Sequence, residues 1–231
     1  MRRIMLKLSG EALAGGAKES FDYNFVKGIC NQIKKSLKKN TELAIVTGGG
    51  NIIRGAMLEN VDKYKADEIG MLSTYMNSIY LQSVLMNIGV KAKVYGAFNI
   101  TDMATLFSKD DILKDMKDGY VIILAGGTGH PYFTTDSGVV LRALELECEE
   151  LLLAKNIDGV YDKDPRKYND AKKYKKLKVD EMVSKKLEVI DLFASTLCMH
   201  NKLNFRIFSL KEKNAIEKAI KGENIGTYIY S

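Results

Sequence analysis

The stretch AIVTGGGNIIRG, residues 44–55, joins an apolar run to three consecutive glycines, and an arginine follows four residues after the last of them. The apolar run belongs to ELAIVT, residues 42–47, whose composition predicts a short buried strand. Glycine lets backbone N–H groups approach an anion closely, because no side chain stands between them. The stretch therefore indicates either a phosphate-binding loop or a tight connection between a strand and a helix.

On both sides of this stretch, short apolar runs alternate with longer segments of helical spacing. The predicted strands are 2–8, 42–47, 91–96, 120–126, 150–154, 204–209 and 226–230. The predicted helices are 22–40, 66–89, 108–119, 134–147, 179–186, 191–202 and 211–220. Short strands that are apolar on both faces and separated by helices predict a parallel sheet covered on both sides. The pattern thus favours a single α/β domain that binds its ligands at the carboxyl ends of the strands.

The composition is that of a soluble globular protein. Of the 231 residues, 46% are hydrophobic and 28% are charged, which is far from the composition of disordered chains. No window holds the roughly 18 apolar residues of a membrane span, and polar residues follow the start too soon for a signal-peptide core. The three cysteines are far apart in the sequence, which argues against a structural zinc site. We expect a cytoplasmic protein with no membrane partner.

The net charge of +6 is concentrated in one segment. Residues 163–178 carry eight lysines and arginines against two aspartates, a difference of +6, so the rest of the chain is neutral overall. Such a run forms either a phosphate or nucleic-acid patch or a solvated loop. The solvated loop is favoured, because charged runs are usually exposed, and we expect no nucleic-acid partner.

Three glycine-bearing turns fall at predicted carboxyl ends of strands, at 7–10, 47–55 and 126–138. A Walker A loop is excluded, because Ala56 and Met57 occupy the positions of its lysine and hydroxyl residue. A dinucleotide-binding fingerprint is excluded as well, since Ile53 and Tyr132 occupy the place of its last glycine. Two such turns facing each other could still hold two phosphate groups, which is the arrangement that phosphoryl transfer requires.

Five blocks of the sequence resemble those of bacterial uridylate (UMP) kinases of the amino acid kinase superfamily, and they occur in the same order. The blocks are KLSGEAL (7–13), GGGNIIRG (48–55), DEIGMLSTYMN (67–77), GTGHPYFTTDS (127–137) and KNIDGVYDKDPRK (155–167). The resemblance implies a three-layer αβα sandwich with a central, mostly parallel sheet. It also implies reversible transfer of the ATP γ-phosphate to UMP, giving UDP and ADP, in pyrimidine nucleotide biosynthesis.

The resemblance further implies a single domain that spans 1–231 and whose two halves bind different nucleotides. The amino half, 1–147, would mainly bind UMP, and the carboxyl half, 148–231, would mainly bind ATP. Mg²⁺ would be held mainly by the nucleotide phosphates, with no dedicated metal ligands in the protein. UTP would act as a feedback inhibitor, and the chain would assemble into a homohexamer built as a trimer of dimers.

Three residues are the expected catalytic groups: Lys7, Arg54 and Asp136. Lys7 ends the first predicted strand, where an ammonium group could neutralise a transferring phosphate or simply extend into solvent. Arg54 could clamp phosphates with its forked guanidinium group or pair with a surface acid. Asp136 could merely cap a helix, whereas the resemblance implies that it orients Lys7 or a water on the metal.

The resemblance also implies two sets of binding residues. Those for ATP are Lys7, Leu8, Ser9, Gly10, Gly50, Arg54, Lys155, Asn156, Tyr161 and Asp164. Those for UMP are Gly49, Asp67, Thr128, Gly129, His130, Pro131, Tyr132, Phe133, Thr134 and Thr135. Asp67 would contact the ribose hydroxyls, although an acid at a helix start is also a common dipole partner. Tyr161 could stack on adenine or belong to the core, and His130 stands where asparagine is commoner.

Two alternatives remain open. One is another kinase of the superfamily that acts on a different small acceptor, against which the block GTGHPYFTTDS and Asp67 argue. The other is a non-catalytic nucleotide-binding protein, against which the presence of Lys7, Arg54 and Asp136 argues.

The long predicted helix 66–89 carries apolar residues on more than one face. We expect Leu72, Met76 and Ile79 to pack on the sheet. The remaining apolar residues, which include Tyr80, then need a second partner, and the same helix of another subunit would provide it.

Overall fold

In the computed structural model, which describes residues 1–15, 20–53, 58–187 and 189–231, one sheet runs through the molecule with helices on both faces. Its nine strands in the described residues are β1 Arg2–Leu8, β2 Thr41–Thr47, β3 Ala92–Gly96, β4 Thr105–Leu106, β5 Val121–Ala125, β6 Glu150–Lys155, β7 Lys176–Lys178, β8 Asn204–Ser209 and β9 Thr227–Tyr230. Their order is β4-β3-β5-β2-β1-β6-β8-β9-β7. All neighbours pair in parallel except β8 and β9. The predicted α/β sandwich with a mostly parallel sheet is confirmed.

The helices cover the sheet in two layers. Those of the described residues are α1 Gly10–Ala14, α2 Tyr23–Ser36, α3 Lys63–Asn87, α4 Lys109–Lys117, α5 Thr135–Glu145, α6 Val179–Ser184, α7 Leu192–His200 and α8 Ala215–Lys221. Every predicted element is present, with ends shifted by no more than four residues. The elements that sequence reasoning missed are α1, β4 and β7, which are too short to show a periodic pattern.

Strand β1 lies at the point where the order of the strands reverses. Its neighbours are β2 on one side and β6 on the other. Because the chain builds outward from β1 in one direction and later returns to its other side, the carboxyl ends of these strands border an open crevice. Ligands of open α/β sheets bind at such switch points.

The two faces of β1 belong to two separate apolar cores. Ile4, Leu6 and Leu8 pack in the core beneath α1, α2, α3 and α8, whereas Met5 packs in the core beneath α4, α5, α6 and α7. Side chains alternate along a strand, so Lys7 shares the face of Met5 and points toward the layer that contains α5.

Helix α3 corrects the predicted orientation of its apolar residues. Leu72 and Met76, which we expected to pack on the sheet, are 48% and 55% exposed. The first part of the helix instead buries four polar residues, Ser73, Thr74, Asn77 and Ser78, together with Ala66 and Tyr75. The last part buries Leu81, Val84 and Leu85. The apolar stripe misled the prediction because the first half of this helix packs against polar backbone of the glycine turns.

None of the helices in the described part of the chain combines the length and the apolar character needed to cross a membrane.

Candidate active site

Two lysines and one aspartate meet at the carboxyl ends of β1 and β6. The Nζ atom of Lys7 lies 2.5 Å from Oδ1 of Asp136, and the Nζ atom of Lys155 lies 3.0 Å from Oδ2. Lys155 also donates to the carbonyl oxygen of Val189. Asp136 therefore bridges two ammonium groups that come from neighbouring strands, and the three side chains carry a net positive charge.

Burial and the neighbouring opposite charges shift the pKa values of Asp136 and Lys155 in opposite directions. Burial alone would raise the pKa of Asp136, but the charges of Lys7 and Lys155 outweigh it and hold that pKa below its usual value. Burial lowers the pKa of Lys155, although the neighbouring Asp136 carboxylate partly opposes the shift. Asp136 is consequently ionised at neutral pH, where it can keep both ammonium groups in fixed positions.

The glycines of the first two turns bring the turns into direct contact. A Cβ atom on Gly10 would lie 2.5 Å from Oδ1 of Asn51 and 2.6 Å from the backbone nitrogen of Gly50. A Cβ atom on Gly48 would lie 3.0 Å from the backbone nitrogen of Gly10. Any larger residue at Gly10 would force the turns apart, so the bare backbone noted in the sequence serves their packing as well as any ligand.

The polar face of α3 ties these turns to the third one. Asn77 donates through Nδ2 to the carbonyl oxygen of Gly48 at 2.5 Å and to Oδ1 of Asn51 at 2.7 Å. Thr74 accepts the backbone N–H of Gly126 at 2.7 Å. Sequence reasoning missed Thr74 and Asn77. The only available signal was their polar character inside an otherwise apolar helix.

A cavity of about 300 Å³ opens beside these turns. Its lining residues are Gly49, Gly50, Ile53, Ala66, Asp67, Gly70, Met71, Thr74, Gly127, Thr128, His130, Phe133, Thr134 and Thr135. Seven of the residues predicted to bind UMP lie in this lining, which the structure thus brings together from α3, the β2 turn and the β5 turn. Gly129, Pro131 and Tyr132 are not among the described lining residues.

Asp67 faces this cavity from the second turn of α3. Asp62 caps the helix by accepting the N–H of Lys65 at 3.1 Å, so capping does not explain Asp67. Its Oδ2 atom accepts the backbone N–H of Tyr132 at 2.7 Å, and Lys63 pairs with it at 3.0 Å. Burial would raise the pKa of Asp67, but these two donors hold it below its usual value.

The β5 turn is shaped by backbone hydrogen bonds and left-handed residues. Gly129 has a φ of +82°, and Tyr132 has a φ of +71°, which is uncommon for a residue with a side chain. Thr134 caps α5 by accepting the N–H of Ser137 at 3.1 Å. The turn thereby places Thr134 and Thr135 in the lining of the cavity, directly before Asp136.

Two larger cavities are both lined by Lys155, and Asp136 lines one of them. One, of about 700 Å³, is bordered mainly by apolar side chains from α6 and the segment before α7. The other, of about 800 Å³, contains the predicted residues Asn156 and Asp164. Both are larger than the cavity of about 300 Å³ beside Asp67.

Some predicted ATP residues occupy other surroundings. Tyr161 donates through its hydroxyl to Asp158 at 2.9 Å, and it does not line these cavities in the described structure. The Leu8 side chain is fully buried in the core, so only its backbone can reach a ligand. Ser9 caps α1. Arg54 lies outside the described residues.

The residues of the site suit a metal held by phosphates. Within the described ranges, no three acidic, histidine or cysteine side chains converge as a metal site would require. Magnesium usually keeps several waters and binds through substrate phosphates with one or two carboxylates. Asp136 is the carboxylate of the lysine cluster, and both of its oxygens already accept from lysines.

Fold and site together define an α/β protein whose paired lysines and glycine turns lie at a switch point of the sheet. Residues 2–209 match the amino acid kinase family, and the chain belongs to that family.

Three named kinases are similar to this chain over nearly its whole length. The chain is 41% identical over 231 residues to uridylate kinase PUMPKIN, a chloroplastic protein of Arabidopsis thaliana, covering 99% of this chain and 68% of that protein. The crystal structure of UMP kinase from Bacillus anthracis superposes with a TM-score of 0.95 at 33% identity, covering 99% of this chain and 96% of the other. UMP kinase from Ureaplasma parvum gives a TM-score of 0.94 at 33% identity, with 100% and 99% covered.

Proposed function

We propose that this chain is a UMP kinase, which transfers the γ-phosphate of ATP to UMP and gives UDP and ADP. The observation that carries the proposal is the Lys7–Asp136–Lys155 cluster, whose Lys155 lines two large cavities and whose Asp136 directly follows Thr135, a lining residue of the smaller cavity. The similarity to named uridylate and UMP kinases over the length of the chain supports it.

The chemistry needs no strong base, because the UMP phosphate is already an anionic nucleophile. Lys7 neutralises charge that builds up on the transferring phosphate and on the leaving oxygen. Asp136 holds Lys7 and Lys155 in place, so the positive charges need no rearrangement during the reaction. When bound, Mg²⁺ would neutralise phosphate oxygens of the nucleotide, and Asp136 is the carboxylate of the cluster that could help to hold it.

We assign UMP to the cavity beside Asp67 and ATP to the side lined by Lys155. Asp67 and the 128–135 turn belong to the amino half, 1–147, and Lys155, Asn156 and Asp164 belong to the carboxyl half, 148–231. The cluster joins the halves, since Asp136 comes from one and Lys155 from the other. Of the three groups proposed as catalytic, Lys7 and Asp136 belong to this cluster. The third, Arg54, lies outside the described residues.

The direct test is an assay of ADP release with UMP, CMP, dTMP, carbamate and acetylglutamate as acceptors. UMP is expected to be the preferred acceptor. Preference for carbamate or acetylglutamate would support a different kinase of the family. ATP binding without transfer to any acceptor would support a non-catalytic nucleotide-binding protein.

Substitution of Asp67 by asparagine is expected to raise the KM for UMP roughly 10- to 150-fold. That range corresponds to one hydrogen bond to a charged group, worth about 1.5–3 kcal/mol. The KM for ATP should change little, because Asp67 and Lys155 line different cavities. Steady-state kinetics with each substrate varied in turn measures both constants.

Asp62→Asn is the matched control for this substitution. It makes the same chemical change one turn earlier in α3, at a capping position where asparagine serves as well as aspartate. Its KM values should equal those of the wild type. If Asp67→Asn raised the KM for ATP instead, the assignment of the two sides would have to be reversed.

We further propose that the protein assembles through α3, as a homohexamer of about 150 kDa from subunits of 25.8 kDa. Leu72, Met76 and Met86 are about half exposed along the outer side of this helix. They leave an apolar stripe that a two-fold copy of the same helix would cover. Tyr80 is less suitable for a test, since its ring packs against Phe21 at a centroid distance of 4.1 Å.

Met76→Asp is expected to reduce the size of the assembly and, because association stabilises the folded subunit, to lower its Tm. Light scattering measures the mass. Met103→Asp, at a methionine of similar exposure outside α3, should leave the mass unchanged. A wild-type monomer at micromolar concentration with full activity would contradict the proposal.

We also propose that the protein is cytoplasmic and that UTP inhibits it. Both proposals are supported by the resemblance to bacterial UMP kinases. A nucleotide with the same base and ribose as UMP could occupy the cavity beside Asp67. UTP should therefore compete with UMP and should lose potency in Asp67→Asn.

A further inference from the structure

We propose that Asp191 is a positioning residue that fixes the start of α5, and with it Asp136, against the segment that holds Lys155. Asp191 precedes α7 and lines the apolar cavity of about 700 Å³. The inference rests on the proposed kinase function, because it assigns Asp191 a part in the geometry of the Lys7–Asp136–Lys155 cluster.

The carboxylate of Asp191 makes more contacts than a helix cap requires. Its Oδ1 atom accepts the N–H of Ala194 at 2.9 Å and so caps α7. Its Oδ2 atom accepts the hydroxyl of Ser137 at 3.0 Å and also the hydroxyl of Thr134. One oxygen is enough for capping, so the second oxygen has a separate role at α5.

That role concerns the first turn of α5. Thr134 and Ser137 are already joined, because the hydroxyl of Thr134 accepts the N–H of Ser137. Asp191 holds both hydroxyls from outside the helix, and Asp136 lies between them in the sequence. A shift of this turn would therefore move Asp136 relative to Lys7 and Lys155.

The same segment also contacts the other side of the cluster. Val189 lies two residues before Asp191, and its carbonyl oxygen accepts from Nζ of Lys155. Residues 189–191 thus hold Lys155 through a backbone oxygen and hold the turn around Asp136 through a carboxylate. Contacts from these three consecutive residues therefore position both partners of the 3.0 Å ion pair between Lys155 and Asp136.

The test replaces Asp191 by serine, which is an equally good helix cap but too short to keep the second set of contacts. We expect Asp191→Ser to lower kcat about tenfold while the KM for ATP changes less than twofold, since small misplacements of reacting groups affect the transition state most. Asp22→Ser is the control, because Asp22 caps α2 by accepting the N–H of Phe25 at 2.9 Å, and α2 covers the face of the sheet opposite to α5. It should match the wild type in kcat.

A double-mutant cycle with Ser137→Ala separates positioning from general loss of stability. If Asp191 acts through the hydroxyls of α5, Ser137→Ala lowers kcat in the wild type and has little further effect in Asp191→Ser. Additive effects, or a wild-type kcat in Asp191→Ser, would overturn the inference. Ser137→Ala alone provides the same test if Asp191→Ser does not fold, because a wild-type kcat there would also overturn it.

The proposed function and this inference fail in different ways. Absence of UMP turnover in the wild type would refute the kinase assignment, and the variants could then be compared with whichever acceptor supports ADP release. Normal UMP turnover in the wild type, unchanged in Asp191→Ser, would refute only the role of Asp191.

Discussion

Replacement of Lys7 by alanine is expected to lower kcat by roughly 10²-fold or more while the protein stays folded. Preorganised charge of this kind is typically worth about 2.7–4 kcal/mol in the transition state. The fold should tolerate the change, because Asp136 keeps Lys155 as a partner at 3.0 Å. Its carboxylate is therefore not left buried without a positive charge. The measurement is kcat at saturating ATP and UMP, with circular dichroism to verify folding.

Lys93→Ala is a closely matched control for this prediction. Lys93 pairs with Asp115 at 2.6 Å, and Asp115 retains the hydroxyl of Tyr95 as a second partner when the lysine is removed. The substitution therefore removes a lysine from a pair of similar length outside the site, in which the lysine is more exposed. Lys93→Ala should keep wild-type turnover. A folded Lys7→Ala protein with near wild-type kcat would remove Lys7 from the mechanism.

The sheet and the strand ends of the site could be predicted because parallel strands have a simple signature. Their residues are apolar on both faces, and the turns at their carboxyl ends must all lie at the same edge of the sheet. Lys7 and Lys155 lie at the carboxyl ends of two such runs, so their location at one edge of the sheet was implicit in the pattern. Asp136 could be placed at the start of a helix, but its contact with both lysines required the order of the strands.

Helix α3 shows what a periodic pattern misses. Its stripe of Leu72 and Met76 resembles a buried face, yet Thr74 and Asn77 are the residues that turn inward. Their partners are backbone groups of glycine turns far away in the sequence, such as Gly48 and Gly126. Local propensity contains no information about such partners. For the same reason Asp191, which acts on α5 from the end of a distant loop, left no signal in the sequence.

The second large effect is expected for Asp136→Asn, which should lower kcat roughly 10²-fold, a loss comparable to removal of one preorganised charge-stabilising group. Asparagine keeps the shape of the side chain but removes the negative charge that separates Lys7 from Lys155. The two ammonium groups then repel each other in a buried site, and neither remains fixed where the phosphate needs it. A lower Tm should accompany the loss of activity, because the ionised carboxylate stabilises the folded state at neutral pH.

The pH dependence of Asp136→Asn distinguishes this explanation from a simple loss of structure. Burial already lowers the pKa of Lys155, and the Asp136 carboxylate partly opposes that shift. Without the carboxylate the pKa of Lys155 falls further, so Lys155 loses its proton, and with it its positive charge, at a lower pH. The kcat/KM for ATP, which reports groups of the free enzyme, should therefore decline at a lower pH in Asp136→Asn than in the wild type.

Asp115→Asn is the control for the expected effects of Asp136→Asn. Asp115→Asn makes the same change at a carboxylate that also bridges two donors, Lys93 and Tyr95, each at 2.6 Å. It should cost stability yet leave kcat and the alkaline decline of kcat/KM in place, because neither donor faces a phosphate. If Asp136→Asn kept the wild-type pH profile while losing activity, its charge would not be tuning Lys155. The role of Asp136 would then be confined to Lys7, whose 2.5 Å contact is the shorter of the two.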